Sequence, residues 1–254
     1  METYPNVSIL MPTYNRRKFL PLIMYNLKNM DYDKSKLEWC ILDDGKEPLF
    51  TPETLEETRK TLSPLKISYK YETQKRDIGV KRNALVKSSK NKICIMMDDD
   101  DIYFPTYIKH SVETLKGSKS GLVGSNHMLF IYPNHNYNIS KIECSAKRQI
   151  HEATMCFTKK YFNSMPGFGK NSLGEGANMI DHNEKNANYT DIIQCMACFC
   201  HDGNSFNKEQ FYKYRIDTDL GDKNYITLLE HITGIKYTDD YESTEETDDS
   251  LSNN

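Results

Sequence analysis

An apolar run, Ile93-Cys94-Ile95-Met96-Met97, ends in four consecutive aspartates, Asp98-Asp99-Asp100-Asp101, and this junction constrains the fold more than any other feature. The apolar residues read as a strand buried on both faces, the pattern of a parallel sheet covered by helices. Four adjacent carboxylates repel one another at neutral pH. They must sit where a cation, a helix N-terminus or water offsets their charge. A strand buried along its length and charged at its carboxyl end describes an open α/β sheet, in which ligands bind beyond that end.

The first hundred residues supply the rest of such a sheet. Val7-Ser8-Ile9-Leu10-Met11 predicts a strand halted by Pro12, and residues 16–30 carry helical spacing with Phe19, Leu20, Ile23, Met24 and Leu27 on one side. Residues 37–42 predict a second strand ending at Asp43-Asp44-Gly45, and 52–62 a helix that opens on acidic residues. Residues 67–71, 78–88 and 92–97 continue as strand, helix and strand. Such β-α repetition implies a mostly parallel sheet with helices on both faces, and both acidic clusters then share its carboxyl edge.

After Pro105 the pattern changes. A helix to about residue 115 precedes predicted strands at 121–132, 153–157 and 192–200, joined by Asn- and Gly-rich connections. These read as a smaller mixed-sheet extension. The chain is therefore expected to form one domain over 1–236, divided into halves at 105, with an acidic disordered tail over 237–254.

Hard oxygen ligands such as the aspartate run suit Mg²⁺ or Mn²⁺, above all when substrate phosphates complete the shell. The bland reading is a solvated acidic turn capping the helix after Pro105. The net charge of −3 argues against a dedicated nucleic-acid binder. There is no P-loop and no dinucleotide-binding glycine fingerprint. No apolar run reaches the roughly 18 residues of a membrane span. Seven cysteines, an odd number without a signal peptide, read as reduced thiols in the cytoplasm.

Four segments together resemble family 2 glycosyltransferases of the GT-A fold, a Rossmann-like α/β architecture. Val7-Ser8-Ile9-Leu10-Met11-Pro12-Thr13-Tyr14-Asn15 resembles that family's opening strand, and Ile41-Leu42-Asp43-Asp44-Gly45 its second. Gly79 with Lys81-Arg82-Asn83-Ala84 is similar to its next helix, and the stretch from Met97 to Pro105 to its DXD segment. The resemblance implies a metal-dependent transfer of a single sugar from a nucleotide-sugar, a UDP-sugar first of all, to a glycan, protein or small-molecule hydroxyl. It also implies roles. Pro12 and Tyr14 would hold the nucleobase and Asp44 its edge; Arg76 would reach base or diphosphate; Asp98 or Asp99 would meet the ribose. Asp100 would coordinate the metal, and Asp101 would shape the following turn. Glu175, after Gly167-Phe168-Gly169, stands where the general base of an inverting transfer would be, although Gly176 replaces the family's usual second acid. Asp181 is the substitute.

His201, in Cys200-His201-Asp202-Gly203-Asn204-Ser205, resembles a loop histidine that closes over the diphosphate, as a second metal ligand or a phosphate contact. Cys195, Cys198, Cys200 and His201 also permit a zinc reading, which strand alternation of Cys198 and Cys200 disfavours. His151 is a further guess at the acceptor cleft. Rival readings are a phosphatase of the haloacid dehalogenase type, a nucleotidyltransferase, or a binding module without turnover. The membrane-bound processive synthases carry a Gln-X-X-Arg-Trp motif, whereas the single tryptophan here, Trp39, lies in a strand.

Overall fold

Strands β1 (Val7–Thr13) and β2 (Leu37–Asp43) are buried at every position, as strands with helices on both faces must be. The computed structural model describes residues 4–144, 149–180, 188–204 and 207–238. In the first half, helices α1 (Leu20–Asn29), α2 (Pro52–Leu62) and α3 (Ile78–Ser88) alternate with β1, β2, β3 (Lys66–Tyr71) and β4 (Ile93–Met96). The four strands pair in parallel in the order β3-β2-β1-β4. Their register aligns Thr13 with Asp43 and Leu10 with Met96, which brings both acidic clusters to one edge.

Sequence and structure differ at the end of β1. The strand does not halt at Pro12 but runs on to Thr13. Pairing with β4 stops at Leu10, so Pro12 has one strand neighbour, and its missing N–H is tolerated as at a sheet edge.

The second half contains β5 (Ile102–Tyr103), α4 (Tyr107–Gly117), β6 (Leu122–Val123), β7 (His127–Tyr132), β8 (Asn138–Glu143), β9 (Cys156–Thr158), α5 (Lys159–Ser164), β10 (Met196–Phe199), β11 (Arg215–Ile216) and α6 (Lys223–Thr233). β9 and β6 extend the first sheet beyond β4, with β9 antiparallel. The other strands make a mixed second sheet, β11-β8-β7-β10-β5. The single strand expected over 121–132 is thus two strands in different sheets. The break is local: Ile150 packs against Gly124, and the Ser125 amide leaves the ladder to donate to Thr154 Oγ1 at 2.8 Å. Residues Ile192–Gln194, expected in a strand, form a 3₁₀ turn capped by Asp191, and β10 begins only at Met196.

The aspartate turn locks the two sheets together. Buried Asn26 of α1 donates to the Asp101 carbonyl at 2.9 Å, and Asp101 Oδ1 accepts the Phe199 amide of β10 at 3.0 Å. The Asp98 amide donates to the Tyr103 hydroxyl at 2.7 Å. At the far end, Asn136 hydrogen-bonds Thr238, so residues 237 and 238 of the expected tail pack on the body. The remainder of that tail, 239–254, lies outside the described residues, as do Asp181 and Ser205. All seven cysteines are free thiols. Among the described residues no helix is long and apolar enough to cross a membrane, and no group of three His, Cys, Asp or Glu side chains is placed to hold a metal, zinc included.

Candidate active site

A cleft of about 580 Å³ opens at the carboxyl edge of the parallel sheet, lined by Pro12, Tyr14, Arg76 and the whole run Asp98 to Asp101. A larger groove of about 830 Å³ beside α6 holds none of the motif residues.

At the donor end, the two aspartates after β2 have separate tasks. Asp43 accepts the amides of Gly45 and Leu49 at 2.9 and 2.6 Å and the Tyr69 hydroxyl at 2.7 Å, so it shapes the turn. Asp44 is buried beneath the cleft, where Oδ1 meets Lys81 Nζ at 2.7 Å and Oδ2 accepts the Arg76 amide at 2.6 Å. Lys81 also donates to the Thr13 carbonyl at 2.9 Å, which ties α3 to the end of β1. Arg76 turns its guanidinium to Glu72 (2.7 Å) and contributes its backbone to Asp44. The Tyr14 ring borders the cleft with Lys75 Nζ 4.3 Å from its centroid, a cation–π contact.

Within the aspartate run the members diverge. Asp98 pairs with Arg82 Nη2 at 3.0 Å. Asp99 lies 3.4 Å from Arg16 Nε; burial first, then the neighbouring Asp100 charge, raises its pKa well above the usual carboxylate range. Asp100 is ion-paired to Arg16 Nη2 at 3.0 Å and accepts from His201 Nε2 at 3.1 Å. Burial would raise its pKa, but those two partners outweigh burial and hold it low. Asp101, largely buried at the cleft floor, is pushed up to about 7 by burial.

Glu175 does not line the cleft. It is buried behind Arg82, whose Nε donates to Glu175 Oε1 at 2.9 Å while Nη2 reaches Asp98. Burial disfavours the guanidinium charge, yet Asp98 and Glu175 together raise its pKa. The loop carrying Glu175 also caps α3: the Ile78 amide donates to Ser172 Oγ at 3.2 Å and the Gly79 amide to the Asn171 carbonyl at 3.0 Å. Gly79 is required by space, since a Cβ there would fall 1.8 Å from the Gly169 carbonyl oxygen.

His201 does not line the cleft; its buried side chain reaches cleft-lining Asp100 beside Gly203 and Asn204 of the wall. Its Nδ1 accepts the Gly203 amide at 3.0 Å, so Nε2 carries the proton donated to Asp100. The donor set fits a hard divalent ion in part. Asp100 presents a carboxylate oxygen now shared with a guanidinium, and 3.1 Å from Nε2 is close to the roughly 3 Å between cis ligands of an ion with bonds of about 2.1 Å. Ligation by Nε2 requires the other tautomer, and the Gly203 amide must then turn away.

Sequence reading gave no role to four cations: Lys81 and Arg82, quoted only as part of a helix motif, and Arg16 and Lys208. Lys208 is half-buried in the cleft wall; burial opposes its charge, but Cys198, Asp101 and Asp100 outweigh it and raise its pKa. His151 does line the cleft. Its Nδ1 accepts the Ala153 amide at 3.1 Å, its Nε2 lies 3.4 Å from Cys198 Sγ, and burial lowers its pKa to about 4. Between its ordinary value of 6.5 and about 4, the unfolded chain takes up a proton that the folded one refuses. Stability present above pH 6.5 is therefore lost as pH falls, by up to about 1.4 kcal/mol per pH unit. Urea midpoints at pH 7 and pH 5 check this: His151→Asn should show a smaller drop than wild type, and equal drops would refute it.

Solved structures share this architecture. PcManGT, a mannosyltransferase from Pyrobaculum calidifontis in complex with GDP-Man and Mn²⁺, matches with TM-score 0.55 and 16% identity over 84% of this chain and 60% of that one. Residues 1–349 of S. aureus TarS in complex with UDP-GlcNAc give TM-score 0.57 and 16% identity, over 89% and 72%. The fold is therefore that of GT-A glycosyltransferases. Residues 8–175 match the model of glycosyl transferase family 2, and the chain belongs to that family. Glycosyltransferase AglE of Haloferax volcanii is 26% identical over 152 residues, 60% of this chain and 49% of AglE. Poly(ribitol-phosphate) beta-N-acetylglucosaminyltransferase TarS of Staphylococcus aureus is 30% identical over 94 residues, 37% of this chain and 16% of TarS. The chain thus spans half or less of the length of these relatives.

Proposed function

We propose that this chain transfers one sugar from a nucleotide-sugar, a UDP-sugar by its Tyr14/Asp44 pattern, to a hydroxyl group of a glycan, protein or small molecule, with inversion. The observation that carries this reading is one guanidinium, Arg82, joining cleft-lining Asp98 to Glu175. It holds the donor-side aspartates and the proposed base in fixed relation. Tyr14 and Pro12 flank the base, Asp44 supports that wall from below, and Asp98 or Asp99 takes the ribose. Arg76 lends the wall its backbone, and Arg16 and Lys208 supply positive charge for phosphates.

In the transfer, the cleft-lining Arg82 side chain moves off Glu175, which then meets the acceptor hydroxyl and takes its proton. The acceptor oxygen bonds to the anomeric carbon as the bond to the diphosphate oxygen breaks with its electron pair. A divalent ion, Mn²⁺ or Mg²⁺, held by Asp100 and by His201 in its other tautomer, would neutralise charge on the departing diphosphate. PcManGT is in complex with GDP-Man and Mn²⁺ and TarS with UDP-GlcNAc in their solved structures, which supports metal use and a nucleotide-sugar donor without choosing the nucleotide.

The test is nucleoside diphosphate release from UDP-, GDP- and dTDP-sugars with and without Mn²⁺. Asp100→Ala should abolish the Mn²⁺-dependent part of donor binding. Phosphate release from phosphomonoesters, with none of the diphosphate, would replace the transferase reading with a phosphatase.

A further inference from the structure

Glu175 is not the sole carboxylate at its end of the cleft. Glu152 stands in a 3₁₀ turn (Glu152–Thr154) far upstream, directly after cleft-lining His151. It packs on Gly176, the neighbour of Glu175. A Cβ on Gly176 would lie 2.4 Å from Glu152 Cγ and 3.0 Å from its Oε1, so Glu152 fills the volume that a side chain at 176 would enter. The backbone does not require glycine there, because Gly176 is not among the positive-φ glycines. What requires it is the packing of Glu152, together with Met155, whose Cε would lie 2.9 Å from the same Cβ.

The Glu152 carboxyl is under the influence of its own amide, the Glu175 and Arg82 charges and the Gly176 amide. Cys144 also senses its charge. Burial first, and Glu175 next among the charges, raises the Glu152 pKa, with Arg82 opposing. Two carboxylates, Asp98 and Glu175, thus ion-pair with one guanidinium, and the Glu152 charge adds to its field without touching it. Arg82 Nη1 has no hydrogen-bond partner among the described residues, although its side chain is only 4% exposed. The cluster is built around charge and not around saturation of hydrogen bonds.

We propose that Glu152 is the second carboxyl of the proton-transfer site, delivered from a separate chain segment into the space over Gly176, where it positions and polarises Glu175. This inference rests on the glycosyltransferase reading. Glu152 is a positioning residue: it acts through Glu175.

The experiment uses the full chain and four variants, with nucleoside diphosphate release and thermal melts measured on each. Glu152→Gln, nearly isosteric, should lower kcat on the order of 10²-fold with donor KM unchanged. Glu152→Asp should recover part of that loss. Gly176→Asp alone should lower the melting temperature by overpacking. Glu152→Ala with Gly176→Asp, which relocates the acid, should regain both the melting temperature lost by Gly176→Asp and much of the kcat lost by Glu152→Gln. Unchanged kcat in a folded Glu152→Gln protein would overturn the proposal. So would a relocated pair no more stable than Gly176→Asp and no more active than Glu152→Gln. If wild type releases no diphosphate from any sugar nucleotide while the melting pattern holds, the transferase reading falls and the seating of Glu152 over Gly176 stands.

Discussion

Replacing Glu175 by glutamine is expected to lower kcat by about 10²–10⁴-fold while leaving donor KM unchanged, the signature of a lost proton acceptor. Glutamine keeps the length of the side chain and an oxygen for Arg82 Nε, so the 2.9 Å contact to α3 survives in neutral form. It cannot accept the acceptor's proton. Donor binding should be spared, because the proposed base, ribose and phosphate contacts lie with Tyr14, Arg16, the aspartate run and Lys208, all cleft-lining, whereas Glu175 lies behind Arg82. Initial rates across donor concentrations, beside a melting curve, separate these effects. Full turnover in the folded variant would remove Glu175 from the chemistry and direct attention to Asp181.

Lys81→Met should be the most destabilising of the simple cleft substitutions, at about 3–5 kcal/mol, the cost of stripping a buried ion pair of one partner. Lys81 is 3% and Asp44 0% exposed, so no water replaces the lost ammonium. Methionine fills most of the volume but leaves the Asp44 carboxylate with the Arg76 amide alone as counterpart. It also removes the donor to the Thr13 carbonyl at the end of β1. The effect is read as a fall in the urea midpoint with an unchanged slope. Adding Asp44→Asn should recover part of it, since the uncompensated charge is then gone. A midpoint within error of wild type would mean that the pair contributes nothing to the fold.

Much of the donor half was legible because its signals are local. The acidic opening after Pro52 marks the start of α2, to which the structure adds a capping box of Thr51 and Thr54, and the apolar runs of β1, β2 and β4 are long enough to stand out. The second half was legible only in outline. Strands there are two to six residues long, and β8, β11 and α6 went unread, the β7–β8 connection turning through left-handed Asn136 and Tyr137. In the site, the acids announced themselves by clustering. Their cations did not, because Arg82 and Glu175, or Arg16 and Asp100, meet across 93 and 84 positions, and no spacing rule spans such distances. Asp43 and Asp44 could not be told apart by type, since only the direction of each side chain separates turn-shaping from partnership with Lys81.

That Arg82 serves a carboxylate from each half bears on how such chains diversify. Acceptor preference would be expected to evolve by exchange of the second half, as a cassette. Here a transplanted cassette arrives opposite a guanidinium already committed to Asp98. Unless the newcomer brings an acid to the place of Glu175, the chimera inherits a buried cation short of its counter-charge. New specificities in this lineage should therefore come from loop substitutions around a retained acid more readily than from wholesale recombination.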